Sequence, residues 1–211
     1  MPQKRLCNAD RRKQIIQVAM DLFASRGFKG ATTRAIAQAA GVSEAIIFRH
    51  FANKEDLYDA IITTSIEKRE EIWESETPLV EQGIAELMGE YARGVINRNR
   101  QDQTFIRLML YSALEDHKFR QRFFESHRSP YLRIIRERIQ TGVESGEFRK
   151  TDSQLTMMSF FFTLLQYSVS RFVASPETPT EEADQRFIDN LISVYVTSLK
   201  TPANASAVAI V

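Results

Sequence analysis

Apolar residues recur every three or four positions along most of the chain, which is the spacing of amphipathic helices. The first such stretch predicts a helix from Asp10, as its N-cap, to Gly27. Thr32 is predicted to cap a second helix that runs through Ala40, and Ser43 to cap a third that ends near Phe51. The apolar stripe of the first helix comprises Ile15, Val18, Ala19, Leu22 and Phe23.

Longer amphipathic stretches fill the rest of the chain, and strand signals are weak throughout. Pro78 stands at a favourable helix start, Pro130 is expected to break or kink a run, and Gly146 to end it. The sequence therefore predicts an all-α fold, with residues 201–211 as a disordered tail. The predicted longer helices cover residues 54–75, 78–98, 101–114, 118–146, 154–173 and 184–200.

Charge is unevenly distributed along the 211 residues, although the whole chain carries a formal net charge of only +1. Residues 1–56 hold ten Lys or Arg against five Asp or Glu, whereas the remaining residues hold 18 against 22. A small basic N-terminal part thus precedes an acidic body.

Cysteine content and hydropathy indicate the cellular compartment of the protein. Cys7 is the only cysteine, so neither an intrachain disulfide nor a thiolate zinc site is available. The N-terminus lacks the apolar core of a signal peptide, and no later apolar run has the length needed to span a bilayer. We therefore expect a cytoplasmic protein with no membrane partner.

Catalytic motifs are missing from the sequence. It contains no H-E-x-x-H, no phosphate-binding glycine loop and no G-x-S-x-G. His117 and His127 are too far apart to share one helical metal face. In the stretch ESHRS at residues 125–129, Ser stands beside His, but neighbours in sequence point to different helix faces and do not form a nucleophile and base. The sequence thus predicts no enzyme, no metal site and no cofactor.

The stretch "AIAQAAGVSEAIIFRHF" has the spacing of a helix-turn-helix. Ala37 and Ala40 are small enough for two helices to cross closely, and Gly41 supplies the left-handed turn between them. Apolar side chains then close a small core: Ile36, Val42 and Ile47. Because the bare A-x-x-x-G spacing also occurs in ordinary helical hairpins, the neighbouring residues must decide between the two.

The longer stretch "TTRAIAQAAGVSEAIIFRHFANKEDL" resembles the DNA-binding head of the TetR family of tetracycline-repressor-like regulators. The resemblance covers about residues 10–60. It implies a helix-turn-helix DNA-binding domain in residues 1–54 and a helical effector-binding and dimerisation domain in residues 55–200. The implied protein is a homodimeric repressor that binds a palindromic operator in double-stranded DNA and is released by a small, largely apolar effector.

Carried over by position, the resemblance implies nine DNA-binding residues. Thr33 and Arg34 would contact a phosphate or a base edge from the start of the supporting helix. The family usually has Tyr at position 48, whose hydroxyl donates to a phosphate, and Phe48 cannot do so. The recognition helix would present Glu44, Ala45 and Ile46 to the groove and Phe48, Arg49 and His50 to the DNA backbone, with Lys54 as a further phosphate contact.

Two of these residues have a second interpretation. Glu44 either reads cytosine through the N4 donor or favours the helix dipole beside Ser43, since an acid near phosphates is otherwise costly. His50 either contacts the DNA backbone or packs, half-buried, beneath the recognition helix.

The helix predicted over residues 154–173 is apolar nearly all round, which indicates burial against two different partners. In the resembled family the last two long helices form a four-helix bundle across a dimer axis, and the alternative is that both belong to the core of one chain. One side carries Leu155, Met158, Phe162, Leu165 and Val169, and the other Met157, Phe161, Leu164 and Phe172. The last helix carries Phe187, Ile188, Leu191, Ile192 and Tyr195 at helical spacing.

Phe, Met and Tyr side chains of the body are the candidates for an effector pocket, which the resemblance implies. Each is also a candidate for ordinary core packing. Gln166, Arg107 and Asn97 are polar residues in apolar surroundings that either orient a ligand or are simply exposed. A DNA-binding architectural protein without a ligand stays open as an alternative. The candidate pocket residues are Tyr91, Phe105, Met109, Phe124, Met158, Phe161, Phe162 and Gln166.

Overall fold

The computed structural model describes residues 7–75, 82–115, 130–174 and 180–201, and these ranges are almost entirely helical. The all-α prediction is therefore confirmed for the part of the chain that the structure describes. A single antiparallel bridge joins Phe148 to Lys200 within these ranges. The helices are α1 (Asn8–Gly30), α2 (Thr33–Ala40), α3 (Glu44–His50), α4 (Lys54–Ser75), α5 (Ile84–Gln101), α6 (Thr104–Leu114), α7 (Pro130–Ser145), α8 (Ser153–Ser168) with a π-helical continuation (Val169–Ala174), and α9 (Glu181–Leu199).

The chain forms two compact units. The head unit combines Met1–Glu70 with Thr104–Ser126, and the body unit combines Glu71–Gln103 with His127–Val211. The division falls within α4 and assigns α6 to the head unit, because α6 packs along α1. The sequence-based division into residues 1–54 and 55–200 remains a prediction about which parts of the chain fold separately.

Aliphatic and aromatic side chains build the core of the head unit. Ile36, Ala37 and Ala40 of α2 are buried, as is Ile47 of α3, whereas Val42 in the turn is half-buried. From α1, the core receives three residues of the predicted stripe, Ile15, Ala19 and Phe23, while Val18 and Leu22 are half-buried. Fully buried Phe51, Leu57 and Ile61 complete this core from the start of α4 and the segment before it.

Several predicted helix ends shift. The first helix begins at Asn8 and is capped by Cys7 rather than Asp10, and the chain kinks at Gly27 but resumes helical bonding to Gly30. The helix predicted from Pro78 begins at Ile84, because the extended backbone of Gly83 precedes it; Pro78 itself lies outside the described residues.

Toward the C-terminus, three further ends can be compared with the prediction. Pro130 stands at the first position of α7, and Gly146, with φ +79°, follows its end as predicted. The last helix begins at Glu181, three residues before its predicted start, because the Thr180 side chain accepts a hydrogen bond from the Ala183 N–H. The tail 202–211 lies outside the described residues.

In the body unit, α8 separates the two apolar sides that the sequence predicts. Met157, Phe161, Leu164 and Phe172 are all buried. On the other side, Leu155 is 67% exposed and Phe162 42% exposed, while Met158, Leu165 and Val169 are half-buried. This second side of α8 is therefore partly exposed to solvent in the single chain.

A buried ion cluster joins α5, α8 and α9 within the body unit. The carboxylate of Asp184, 2% exposed, accepts hydrogen bonds from Arg100 Nη2 and from the Tyr167 hydroxyl, both at 2.5 Å. Burial and this hydrogen bond raise the pKa of Tyr167 to about 12. Arg171 Nε lies 3.8 Å from the same carboxylate, so two cations and a phenol surround one buried anion.

Neither a membrane span nor a metal cluster occurs in the described ranges. No helix there combines the length and the apolarity that crossing a bilayer requires. Groups of three or more His, Cys, Asp or Glu side chains placed to hold a metal ion are likewise missing from that part of the chain.

Candidate nucleic-acid interface

Backbone geometry fixes the angle between α2 and α3. The Thr32 side chain accepts a hydrogen bond from the Ala35 N–H at 3.1 Å and thereby caps α2. Gly41 has left-handed backbone angles of φ +65° and ψ +36°, and its N–H and that of Val42 bond back to the last turn of α2. Ser43 occupies the N-cap position of α3, although its side chain makes no capping hydrogen bond. Helix α2, the turn that begins at Gly41 and helix α3 thus form the predicted helix-turn-helix.

Helical periodicity decides which residues of α3 point outward. Ile47 is 1% exposed and faces the core, so residues two positions before and after it lie on the opposite side. Ala45 and Arg49 are accordingly exposed, and Phe48 beside them is 49% exposed. Ile46 lies on the flank and is half-buried. The outward surface of α3 thus consists of a methyl group, a phenyl ring and a guanidinium group.

A side-chain hydrogen bond ties the starts of the two helices together. The Thr33 hydroxyl donates to Glu44 Oε2 at 2.8 Å, and both side chains are half-buried. This pair gives Glu44 a role that neither sequence interpretation included, because its carboxylate holds α3 against α2. Arg34, the neighbour of Thr33, is exposed at the same end of α2.

His50 closes α3 among positive charges. Its ring is half-buried, and within the described structure its buried Nε2 has no hydrogen-bond partner. Burial lowers the pKa of the His50 imidazole below its ordinary value, and the charges of Arg49, Arg12 and Arg11 lower it further. The lowered pKa favours the neutral imidazole in the free protein.

Lys54 is directed toward aromatic rings in this structure. Its ammonium group lies 4.3 Å from the centre of the Phe28 ring and 5.8 Å from that of Phe23. Burial lowers the pKa of Lys54, while the charges of Glu55 and Glu115 oppose the shift. A phosphate contact by Lys54 stays a prediction, and making it requires the ammonium to leave these rings.

Sequence reasoning missed the residues that fasten α6 to the end of α1. The carboxylate of Glu115 accepts hydrogen bonds from the backbone N–H groups of Phe28, at 2.7 Å, and Lys29, at 3.4 Å. The Tyr111 hydroxyl donates to the Ser25 carbonyl at 3.2 Å. Gly27, taken as a helix stop, was the available signal, because a kink there frees backbone donors that need an acceptor.

The candidate effector residues divide between the two units. Phe105 and Met109 are buried in α6 of the head unit, and Phe124 lies outside the described residues. In the body unit, Tyr91 is buried, and its ring centre lies 5.8 Å from Tyr131 and 6.3 Å from Phe160.

Positions along α8 separate the remaining candidates. Phe161 is buried, Met158 half-buried, and Phe162 and Gln166 exposed. The structure therefore does not bring all four to one cavity. Of the further polar candidates, Asn97 is exposed and Arg107 half-buried. A pocket of about 400 Å³ in the body unit is lined by none of the candidates but by Arg136, Glu137, Gln140, Thr141, Ser153 and Gln154.

This geometry defines a class of protein. A short helix packed on a supporting helix through Ala37, Ala40 and Gly41, with an outward surface that includes Arg49, is the arrangement of a helix-turn-helix DNA-binding protein.

Comparison with known proteins narrows the class. The family of "Bacterial regulatory proteins, tetR family" matches residues 15–61. The transcriptional repressor AcnR of Corynebacterium glutamicum is 30% identical over 170 residues, which cover 79% of this chain and 84% of AcnR. This chain belongs to the TetR family of DNA-binding transcriptional regulators, and it is not an enzyme.

Solved structures share the fold. FadR of Bacillus subtilis, in complex with stearoyl-CoA, is 19% identical with a TM-score of 0.66, over 89% of this chain and 98% of FadR. AibR, in complex with isovaleryl coenzyme A and operator DNA, is also 19% identical with a TM-score of 0.66, over 87% of this chain and 97% of AibR.

Proposed function

We propose that this regulator is a homodimeric repressor that binds a palindromic operator and releases it when a small, largely apolar effector binds. The observation that carries the proposal is the outward surface of α3, where Ala45, Phe48 and Arg49 are exposed on a helix held by the Thr33–Glu44 hydrogen bond. The similarity to AcnR, a named repressor, favours repression over activation.

The proposed DNA-binding set keeps the residues that the family resemblance implies. Arg34 and Arg49 are exposed and supply the positive charge that phosphates attract. Thr33 serves the site by holding Glu44, and His50 and Lys54 contribute only when phosphate draws their charged forms outward. Ala45 and Ile46 face base edges from the start of the recognition helix, and Phe48 lies toward the DNA backbone.

The exposed side of α8 supports the proposed dimer. Leu155 and Phe162 are exposed there, and Val194 of α9 is 56% exposed. The Tyr195 hydroxyl of α9 bonds to Ser159 of α8 at 3.0 Å, which places the two helices side by side. A short helix-turn-helix covers only part of a groove, so two copies related by a two-fold axis give the affinity that an operator needs.

The effector proposal rests on apolar side chains and on similar proteins. Buried Tyr91 and Phe161 offer an apolar environment in the body unit, and half-buried Met158 offers an adaptable side chain. FadR and AibR were solved with stearoyl-CoA and isovaleryl coenzyme A, respectively. Free fatty acids and acyl-CoA thioesters of short and long chain are therefore the first compounds to test.

Selection of DNA by the full-length protein tests the proposal directly. Random duplexes that the protein retains are sequenced, and the enriched site is tested for two-fold symmetry and for a centre-to-centre half-site spacing of about 34–36 Å or a multiple of it. Titration with each fatty acid or acyl-CoA then measures release. An enriched palindrome that no compound releases favours a DNA-binding architectural protein, and no enrichment contradicts operator binding.

A further inference from the structure

The outward surface of α3 is unusual in its chemistry for a surface that meets DNA. Apart from the guanidinium of Arg49, it consists of the exposed methyl group of Ala45 and the phenyl ring of Phe48, which is 49% exposed. Neither Ala45 nor Phe48 has a side-chain hydrogen-bond donor or acceptor. Two of the three outward side chains can therefore recognise DNA only through apolar contact.

The one hydrogen-bonding side chain in the first turn of α3 is already engaged, and the exposed Ser43 hydroxyl precedes the helix as its N-cap. Glu44 uses Oε2 to accept the Thr33 hydroxyl at 2.8 Å, and the Glu44 side chain is half-buried. Ile46, on the other flank, is apolar and half-buried. Base-edge hydrogen bonding by the first turns of α3 is thus limited, although these turns are the part of a recognition helix that meets base edges.

A phosphate is a poor partner for Phe48. A phenyl ring offers no hydrogen bond to an anionic oxygen, and placing the ring there removes water from the phosphate without replacing its hydrogen bonds. The major groove presents one distinctly apolar feature, the C5-methyl group of thymine, and Ala and Phe side chains are suited to contact it.

We propose that Phe48, together with Ala45, recognises the C5-methyl group of thymine in each operator half-site. This inference rests on the proposed binding of an operator and gives Phe48 a base-reading role in place of the expected contact with the DNA backbone. Arg49 keeps the backbone contact, because its long side chain extends from the outermost position of the helix.

Replacing thymine with uracil in the selected operator tests the inference, because uracil lacks only the methyl group and keeps every hydrogen-bonding atom. Each thymine of the half-site is replaced in turn by deoxyuridine, and the affinity is measured for the wild-type protein and for Phe48→Ala. The wild type should lose about fourfold in affinity at the position that faces Phe48, as expected for one buried methyl group. Phe48→Ala should bind the thymine and uracil duplexes there with nearly equal affinity.

Arg49→Ala is the matched control on the same helix. It should bind more weakly overall yet keep the fourfold preference for thymine over uracil. Since Phe48 and Arg49 are both exposed, neither substitution should change the fold, which circular dichroism verifies.

Three results overturn the inference. The first is that uracil has no effect at any half-site position, and the second is that the selected half-site contains no thymine. The third is that Phe48→Ala retains the wild-type preference for thymine. None of these three results contradicts operator binding, because the protein has then selected its site through other contacts. A protein that selects no sequence contradicts both the inference and the proposed function.

Discussion

Glu115 at the end of α6 accepts a hydrogen bond at 2.7 Å from the backbone N–H of Phe28, 87 positions earlier in the chain. The ring of Phe28 stacks on Phe23 and meets the edge of Tyr58 at a centroid distance of 5.1 Å. The kink of α1 is therefore held from α6 on one side and packed on α4 on the other.

We expect Glu115→Ala to lower the free energy of unfolding by about 2 kcal/mol, because a carboxylate that accepts from backbone N–H groups is a charge-assisted acceptor. Chemical denaturation measures the change. Glu144→Ala is the control, since Glu144 is exposed and accepts a side-chain hydrogen bond from Gln140 on the same helix. Equal effects of the two substitutions would contradict a structural role for Glu115.

Two glycines with positive φ should respond differently to asparagine. Gly27 has φ +72° and ψ 175°, a region that only glycine adopts readily, and a Cβ atom there would lie 2.7 Å from Glu115 Oε1. Gly41 is left-handed, which asparagine tolerates, and a Cβ there meets nothing within 4 Å. Gly27→Asn should cost about 3 kcal/mol or more, and Gly41→Asn about 1 kcal/mol or less. Comparable losses in thermal denaturation would contradict this distinction.

Phe162→Glu should weaken the proposed dimer at least about 100-fold, because it places an unpaired carboxylate in an apolar interface. Sedimentation velocity across a concentration series gives the change. Leu114→Glu is the control, because Leu114 is 82% exposed on α6 of the head unit. Leu191 is unsuitable for this test, since it is 5% exposed and buried within its own chain. A Phe162→Glu protein that remains dimeric places the interface elsewhere.

His50 should take up a proton when DNA binds. Burial and Arg49, Arg12 and Arg11 lower its pKa in the free protein, and nearby phosphates would offset those positive charges. Affinity should then rise as the pH falls below about 6.5. His50→Gln should remove that dependence. NMR titration of the His50 ring in the free and the DNA-bound protein measures this change. A pKa that stays lowered in the complex would contradict the contact between His50 and the DNA backbone.

The lowered pKa of His50 also makes the stability of the fold depend on pH, but stability falls in acid whereas DNA affinity rises. Because the folded pKa of His50 is lowered, the unfolded chain binds the proton first. The contribution of His50 to stability is therefore present above the unfolded value of 6.5 and is lost as the pH falls through the lower folded value. DNA binding at low pH must be measured where the protein remains folded.

Arg49→Ala should weaken binding to all DNA sequences alike, because an exposed guanidinium at this position contributes charge to the contact with the backbone. The slope of log K against log[salt] should become smaller by about 0.9, as expected for one lost phosphate contact. A changed base preference with an unchanged slope would show instead that Arg49 reads bases.

Local signals in the sequence predicted the helix-turn-helix well. Thr32 and Gly41 make hydrogen bonds with backbone groups a few residues away, and Ser43 stands at the N-cap position, so their spacing alone places α2 and α3. The outward exposure of Ala45 and Arg49 likewise follows from their positions two residues from buried Ile47. These are the features for which periodicity and capping preferences carry enough information.

Contacts between distant segments could not be predicted in the same way. The hydrogen bonds from the Phe28 N–H to Glu115 and from Arg100 to Asp184 join residues more than 80 positions apart, and no periodicity pairs them. Asp184 was expected at the start of a helix, but the helix begins earlier and the carboxylate is buried beside Arg100. The effector pocket stays a prediction, since composition does not determine which side of α8 faces inward.

The packing of α6 on α1 has a practical consequence for protein engineering. Chimeric regulators are made by joining the DNA-reading segment of one protein to the sensing segment of another. A junction after residue 54 would separate Phe23 and Phe28 from the Tyr58 ring, and Gly27 from the Tyr111 and Glu115 side chains that surround it. A transplant that carries residues 104–115 along with the first 70 would preserve these native neighbours.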